Sequence, residues 1–197
     1  MAYYELKKYD KADADLSRAT GSGFNEALAY YYLGNAKFRN DDFSSALQNY
    51  DKAVSAGLED ASLFNNRGKA KQSNNNLSGA IQDYDRALQL DPNHKKALEN
   101  RANANFESEN WEKAANDFNS LVTLGKVTAE IFEKKGISEY RSGQVDAGLK
   151  DMEGALKRGS KNPELRVIIG DAYLEKGDVN KAKLFYEQAQ RAGATNA

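Results

Sequence analysis

This sequence predicts an all-α array of stacked antiparallel helix pairs, and three observations carry the prediction. The first is an unbroken spacing of 34 residues in two columns of small side chains: Gly34, Gly68, Ala102, Gly136, Gly170, and Ala12, Ala46, Ala80, Ala114, Gly148, Ala182. The second is a column of large side chains in the same frame, Leu16, Tyr50, Tyr84, Phe118, Met152 and Tyr186. The third is a column holding Gly23, Gly57, Gly125, Gly159 and Gly193, with Asp91 as its other member. The chain has 15 glycines in 197 residues. Five in one column of six then has a chance probability on the order of 10⁻⁵, so composition alone does not explain it. Glycine takes the left-handed conformation that ends many helices. At Asp91 the stop comes instead from Pro92, which cannot continue a helix.

The elements follow in order. Residues 1–26 read as a truncated repeat, with Tyr9, Ala12, Leu16 and Ala19 on one face of a helix that Gly21-Ser22-Gly23 ends. Full repeats are predicted at 27–60, 61–94, 95–128, 129–162 and 163–196. In each, a first helix covers roughly the opening 14 residues, and a second runs from about the eighteenth to the thirtieth. Asp42, Asn76, Asn110 and Asp178 occupy the short connection, where such side chains cap helices. Pro163 opens the last repeat, where proline suits a first helical turn. The small columns mark close helix crossings: the eighth and twentieth positions facing each other within a hairpin, the twenty-seventh meeting the next repeat. The large column is expected to fill the layer between repeats. Each unit touches mainly its neighbours, so 1–197 reads as one continuous domain.

These columns resemble the tetratricopeptide repeat family, whose period is 34 and whose unit is helix–turn–helix. The motif residues are Leu33-Gly34, Phe43, Ala46, Tyr50 and Ala53 in one repeat, then Gly68, Leu77, Ala80, Tyr84, Ala87 and Pro92 in the next. Leu121, Gly148 and Trp111 depart from the pattern without shifting the frame. The resemblance implies a right-handed α-solenoid, five full repeats and one truncated. It also implies a non-enzymatic scaffold for protein partners.

Composition narrows the function further. Net charge is −1, which supplies no basic field for nucleic acid. No apolar run approaches the 18 or so residues of a spanning helix. There is no cysteine, hence no disulfide and no thiolate metal site. Met1 falls at the ninth position of a repeat. The chain therefore reads as a fragment of a longer array, with any targeting segment upstream, and its compartment is open (cytoplasmic by default).

Chemistry has little foothold. His94, the one histidine, follows Asp91-Pro92-Asn93 and is expected to be an exposed turn residue. Asn40-Asp41-Asp42 lacks the pattern of a calcium loop. No cofactor or metal site is expected. Within Tyr30-Tyr31-Tyr32, helical geometry gives Tyr30 to the core and the next two partly to the surface.

What remains is the groove that the resemblance implies along the first helices, at their second, fifth, sixth, ninth and twelfth positions. Carried onto this sequence, those positions include Tyr31, Asn35, Phe38, Asn65, Asn66, Lys69, Lys96, Asn100 and Asn103. Further along come Glu130, Glu133, Ile137, Glu164 and Asp171, so the groove is expected to turn acidic. The asparagine amides both donate and accept, which suits the backbone of an extended peptide whatever its sequence. On this reading, replacing Asn66 and Asn100 abolishes partner capture at no cost in stability. Some family members clamp a chaperone's C-terminal carboxylate. Asn35, Asn66 and Lys96 match that clamp, but Tyr31 and Asn100 replace its cations, so the resemblance does not extend to it. Two further readings are self-assembly through apolar array ends, and an adaptor module of a larger enzyme.

Overall fold

The computed structural model describes residues 26–195. The truncated repeat predicted over 1–26 lies, but for Glu26, outside the described residues. Among the described residues there are ten helices and no strand. They are α1 (Glu26–Arg39), α2 (Phe43–Ser55), α3 (Ala61–Ser73), α4 (Leu77–Leu90), α5 (Lys95–Glu107), α6 (Trp111–Thr123), α7 (Ala129–Arg141), α8 (Val145–Lys157), α9 (Pro163–Glu175) and α10 (Val179–Arg191). Two helices fall in each predicted full repeat.

Helix starts follow the capping residues. Asp42, Asn76 and Asp178 accept from the backbone N–H three residues on, at 3.1, 2.9 and 3.0 Å. Asn110 departs from its column: it makes no cap, and its amide turns back to donate to Asn105 Oδ1 at 3.4 Å. His94 is not the exposed turn residue expected. It is half-buried, and its Nδ1 accepts from Ala97 N–H at 3.1 Å, so it caps α5. The turn inside each pair holds a left-handed residue at one fixed position. Asp41, Asn75 and Glu109 take φ of 58°, 60° and 57° there, and Gly143 and Gly177 take 87° and 78°.

The chain divides into two compact units, Met1–Ala104 and Asn105–Ala197. In the first, the large column does more than fill the layer between repeats. A Cβ on Gly68 would stand 2.6 Å from the Tyr84 ring, and one on Gly34 2.7 Å from the Tyr50 ring. Each ring therefore lies flush on the glycine of its own hairpin. It also reaches the next repeat: Tyr50 clusters with Ala46 and Ala70, Tyr84 with Ala80 and Ala104. Ala53 and Ala87, from the third small column, pack with Leu63, Phe64 and Ala97. Of the tyrosine run, Tyr30 is no deeper than its neighbours; all three are half-buried.

In the second unit the departures find their places. A Cβ on Gly148 would meet the Gly136 carbonyl oxygen at 2.7 Å, so this crossing is backbone on backbone. Leu121 is buried at 1% exposure in an alanine column. Trp111 meets Phe106 edge-on, ring centres 5.4 Å apart. Ile137 belongs to the core with Leu149, Met152 and Ile169, not to the surface where the groove positions had put it.

A polar column escaped the sequence reading. Asn49, Asp83, Asp117 and Asp151 share one repeat position, and all are buried. Asp83 is held by Arg67 at 2.6 Å and Lys71 at 2.8 Å. Asp117 accepts from Asn105 at 3.3 Å. Asp151 pairs with Lys135, which also reaches Glu139 at 2.7 Å. Two carboxylates thus face one ammonium. Burial pushes the Glu139 carboxyl up, Lys135 opposes it, and Asp151 adds to it. Burial pulls Lys135 down, but its bonds and charge contacts with Asp151 and Glu139 outweigh that and hold it above the usual lysine range. Glu139 Oε2 is buried without a partner.

Two outcomes are expected. Gly68→Leu drives a side chain into the Tyr84 ring, and overpacking of this kind costs about 1–3 kcal/mol. A urea melt superimposable on wild type would refute the ring-on-glycine packing. The second concerns Glu139. Its folded pKa is raised, so its contribution is present below the ordinary glutamate range and lost as pH rises through the folded value. Glu139→Gln mimics the protonated acid and should stabilise the protein at pH 7 by about 1 kcal/mol. Melts at neutral and mildly acidic pH check this: the gain should shrink on acidification.

Candidate functional site

The asparagines, lysines and aromatics singled out on the first helices lie in the first unit, and Tyr31, Asn35, Asn65, Asn66 and Asn100 join one hydrogen-bonded chain. Tyr50 Oη donates to Asn35 Oδ1 at 2.8 Å, and Asn66 Nδ2 donates to the same oxygen at 2.9 Å. Asn66 Nδ2 also donates to Tyr31 Oη at 3.2 Å. Asn65 Nδ2 donates to Asn66 Oδ1 at 3.1 Å, and Asn100 Nδ2 donates to Asn65 Oδ1 at 2.8 Å. Four side-chain amides therefore run across α1, α3 and α5. Asn35 and Asn65 are buried, at 6% and 3% exposure, and a buried amide needs partners. Here the partners are other amides. Asn103 Nδ2 donates to the Glu99 carbonyl oxygen at 2.9 Å.

The signal for this arrangement was in the sequence, but its meaning was not. Asparagines at the ninth position of one repeat and the fifth and sixth of the next were legible as a ladder. That they would satisfy one another depends on distances between helices, which the sequence does not give. The expectation that Asn66 and Asn100 can be removed at no structural cost therefore gives way. Asn66 alone links three residues on two helices.

At the end of the amide chain nearest α1 lies a recess of about 40 Å³, lined by Asn35, Phe38, Arg39, Tyr50, Asn66 and Lys69. Lys69 Nζ sits 5.2 Å from the centre of the Phe38 ring. Lost hydration, then repulsion from Arg39 and Lys96, holds the Lys69 ammonium below the usual lysine range. Arg39 and Lys69, which line the recess, are exposed, as is Lys96.

In the second unit the acidic residues on the first helices are engaged locally. Glu130 pairs with Lys134 at 2.8 Å. Glu133 accepts from Ser160 Oγ at 2.7 Å and Asn162 Nδ2 at 2.6 Å, tying α7 to the start of α9. Glu164 accepts from Thr195 N–H at 3.0 Å. Asp171 accepts from Tyr186 Oη at 2.8 Å; burial first and then this carboxylate push the phenol up to about 12. On α9 and α10, Leu174 and Val179 are 51% and 62% exposed. With Ala182 and Tyr186 they line an open hollow of about 330 Å³. Among the described residues no group of three or more histidine or acidic side chains is placed to hold a metal ion. None of the described helices is long and apolar enough to cross a membrane.

Comparison with known proteins agrees with this architecture. Two sequence profiles of the tetratricopeptide repeat match the chain, one over residues 61–94 and the other over 1–62 and 133–197. Among solved structures, YrrB, described as a TPR protein with an unusual peptide-binding site, is similar with a TM-score of 0.82 at 16% identity. That match covers 92% of this chain and 93% of YrrB. MamA from Desulfovibrio magneticus RS-1 is similar with a TM-score of 0.73 at 16% identity, covering 87% and 97% of the two chains. A second MamA structure gives 0.73 at 22% identity, covering 84% and 91%. No curated protein sequence matches.

The amide chain makes a specific stability expectation. Asn66→Ala strips two acceptors of a donor and leaves Asn65 Nδ2 without its oxygen, which should cost about 1–3 kcal/mol. The solvent-facing Asn116→Ala serves as reference. Equal urea midpoints for the two variants would mean that the chain contributes nothing to stability.

Proposed function

Because the chain belongs to the tetratricopeptide repeat family, we propose that it is a non-enzymatic interaction scaffold whose partner segment lies across the first helices of the first unit. The contact residues on this reading are Tyr31, Asn35, Phe38, Asn66, Lys69, Lys96, Asn100 and Asn103, with Asn65 supporting them from below. The observation that carries the reading is the four-amide chain. It fixes side chains of three successive first helices in one orientation before any ligand arrives, and a preorganised surface loses less entropy on binding. Asn35 Nδ2 and Asn100 Oδ1 take no part in the chain, so a donor and an acceptor remain at its two ends. An extended peptide presents both complementary groups on its backbone. YrrB's described peptide-binding site lends the same ligand class to this fold.

The test is selection from a random library of N-acetylated, C-amidated decapeptides on the immobilised full chain. Wild type should enrich a sequence family. A Phe38→Ala, Lys69→Gln, Lys96→Gln variant should lose at least about tenfold in affinity for it, the equivalent of 1.4 kcal/mol. Enrichment of nothing above bare support would refute the proposal. Undiminished binding by the variant would move the site off this face.

A second reading, self-association, is favoured by one observation, the exposed hollow at Leu174 and Val179. Apolar faces of this kind mark interaction surfaces. It predicts a weight-average mass that rises with concentration in sedimentation equilibrium, and a return to monomer in Val179→Glu. A constant monomer mass across the range would dispose of it.

A further inference from the structure

Resting on the self-association reading above, we infer that α10 seats a second copy of this chain across a two-fold axis, with Lys183 of each copy set against Glu187 of the other. The face has the make-up of a packing surface. One period earlier, Tyr140 and Val145 are partly buried against the core. Leu174 and Val179 stand in the same columns and are 51% and 62% exposed. Removing such apolar surface from water drives association.

The order of the residues says what covers the face. Val179, Ala182, Lys183, Tyr186, Glu187 and Gln190 line the hollow from α10. A two-fold axis between Leu184 and Phe185, relating α10 to an antiparallel α10 of the second copy, carries this stripe onto itself. Val179 then falls on Gln190, Ala182 on Glu187, and Lys183 on Tyr186. Each Lys183 is brought to the partner's Tyr186 ring and lies one residue along from the partner's Glu187. The charges match in both halves at once, as an isologous contact requires. Lys183 forms no ion pair among the described residues, and Glu187 lies 4.0 Å from Arg191. Exposed ion pairs add little affinity, so these set the register, while Leu174, Val179 and the Tyr186 ring supply the burial.

The other symmetry, head to tail, would need a first helix with its packing face free. Ala70 and Ala104 are the residues by which α3 and α5 meet the preceding repeat. Ala36, their counterpart on α1, is already 0% exposed. The contact therefore closes at two copies.

The experiment is sedimentation equilibrium on the full chain and on two variants, Lys183→Glu and Glu187→Lys. Wild type should approach twice the monomer mass and stop there. Each variant sets like charges against each other in both halves and should dimerise at least about tenfold more weakly. An equal mixture of the two should recover the dimer, because one copy then offers two carboxylates and the other two ammoniums. No effect confined to one helix produces that recovery. Added salt should weaken the mixed dimer, as screening requires. Wild-type strength in either single variant, or a mixture that stays monomeric, overturns the pairing and leaves self-association standing. A mass that grows beyond two copies overturns the two-fold axis. A wild type that stays monomeric sinks this inference and the self-association reading together.

Discussion

The constraint on which the repeats depend is contact between an aromatic ring and a glycine that has no room for a methyl group. Gly68 under Tyr84 and Gly34 under Tyr50 bring the two helices of a hairpin together. The same rings reach Ala70 and Ala104 of the following repeat. One side chain thus sets two spacings, within a pair and between pairs. That is why the period is kept without insertion: a residue gained or lost would turn the ring off its glycine and off the next alanine together. Glycine inside a helix costs roughly 1 kcal/mol relative to alanine, so its recurrence there needs a compensating contact, and this is one.

Around these contacts the hairpins carry polar groups in buried places, and each is matched by a neighbour of suitable type. Asp83 has Arg67 and Lys71. Asp117 accepts from the amide of Asn105, and Asp151 shares Lys135 with Glu139. The position is constant, but its partner changes from repeat to repeat. Buried pairs of this sort add little net stability, whereas losing one partner is costly. They distinguish repeats that an apolar core alone would leave interchangeable.

The fold was legible because its determinants are periodic. Glycine, alanine and tyrosine recur at fixed intervals, and each type has one physical use in a helix pair. The left-handed turn residue was harder to see, because Asp41, Asn75 and Glu109 stand where Gly143 and Gly177 stand in later repeats. The buried polar column was hidden for a similar reason, since Asn49, Asp83 and Asp151 look like ordinary surface residues in a charged sequence. The amide chain was legible in its residues and not in its bonding. Asparagine at Asn35, Asn65, Asn66 and Asn100 pointed to a polar ladder. Which amide meets which is decided by inter-helix distances of a few ångströms, which no pattern of letters encodes. Ile137 joined the core because an apolar side chain at that half-hidden position packs with Leu149, Met152 and Ile169.

One oxygen atom joins these themes. Asn35 Oδ1 receives the hydroxyl of Tyr50, whose ring rests on Gly34, and the amide of Asn66, which faces outward on α3. The hairpin interior and the exterior surface are therefore wired to a common acceptor. Anything that orders Asn66 from outside also tightens the seat of Tyr50, and loosening the hairpin blurs the surface. Occupancy of this face, were it to occur, would be linked to folding: a ligand bound there would raise the unfolding free energy by RT ln(1 + [L]/Kd), and calorimetry alone, with no labelled partner, would register its arrival.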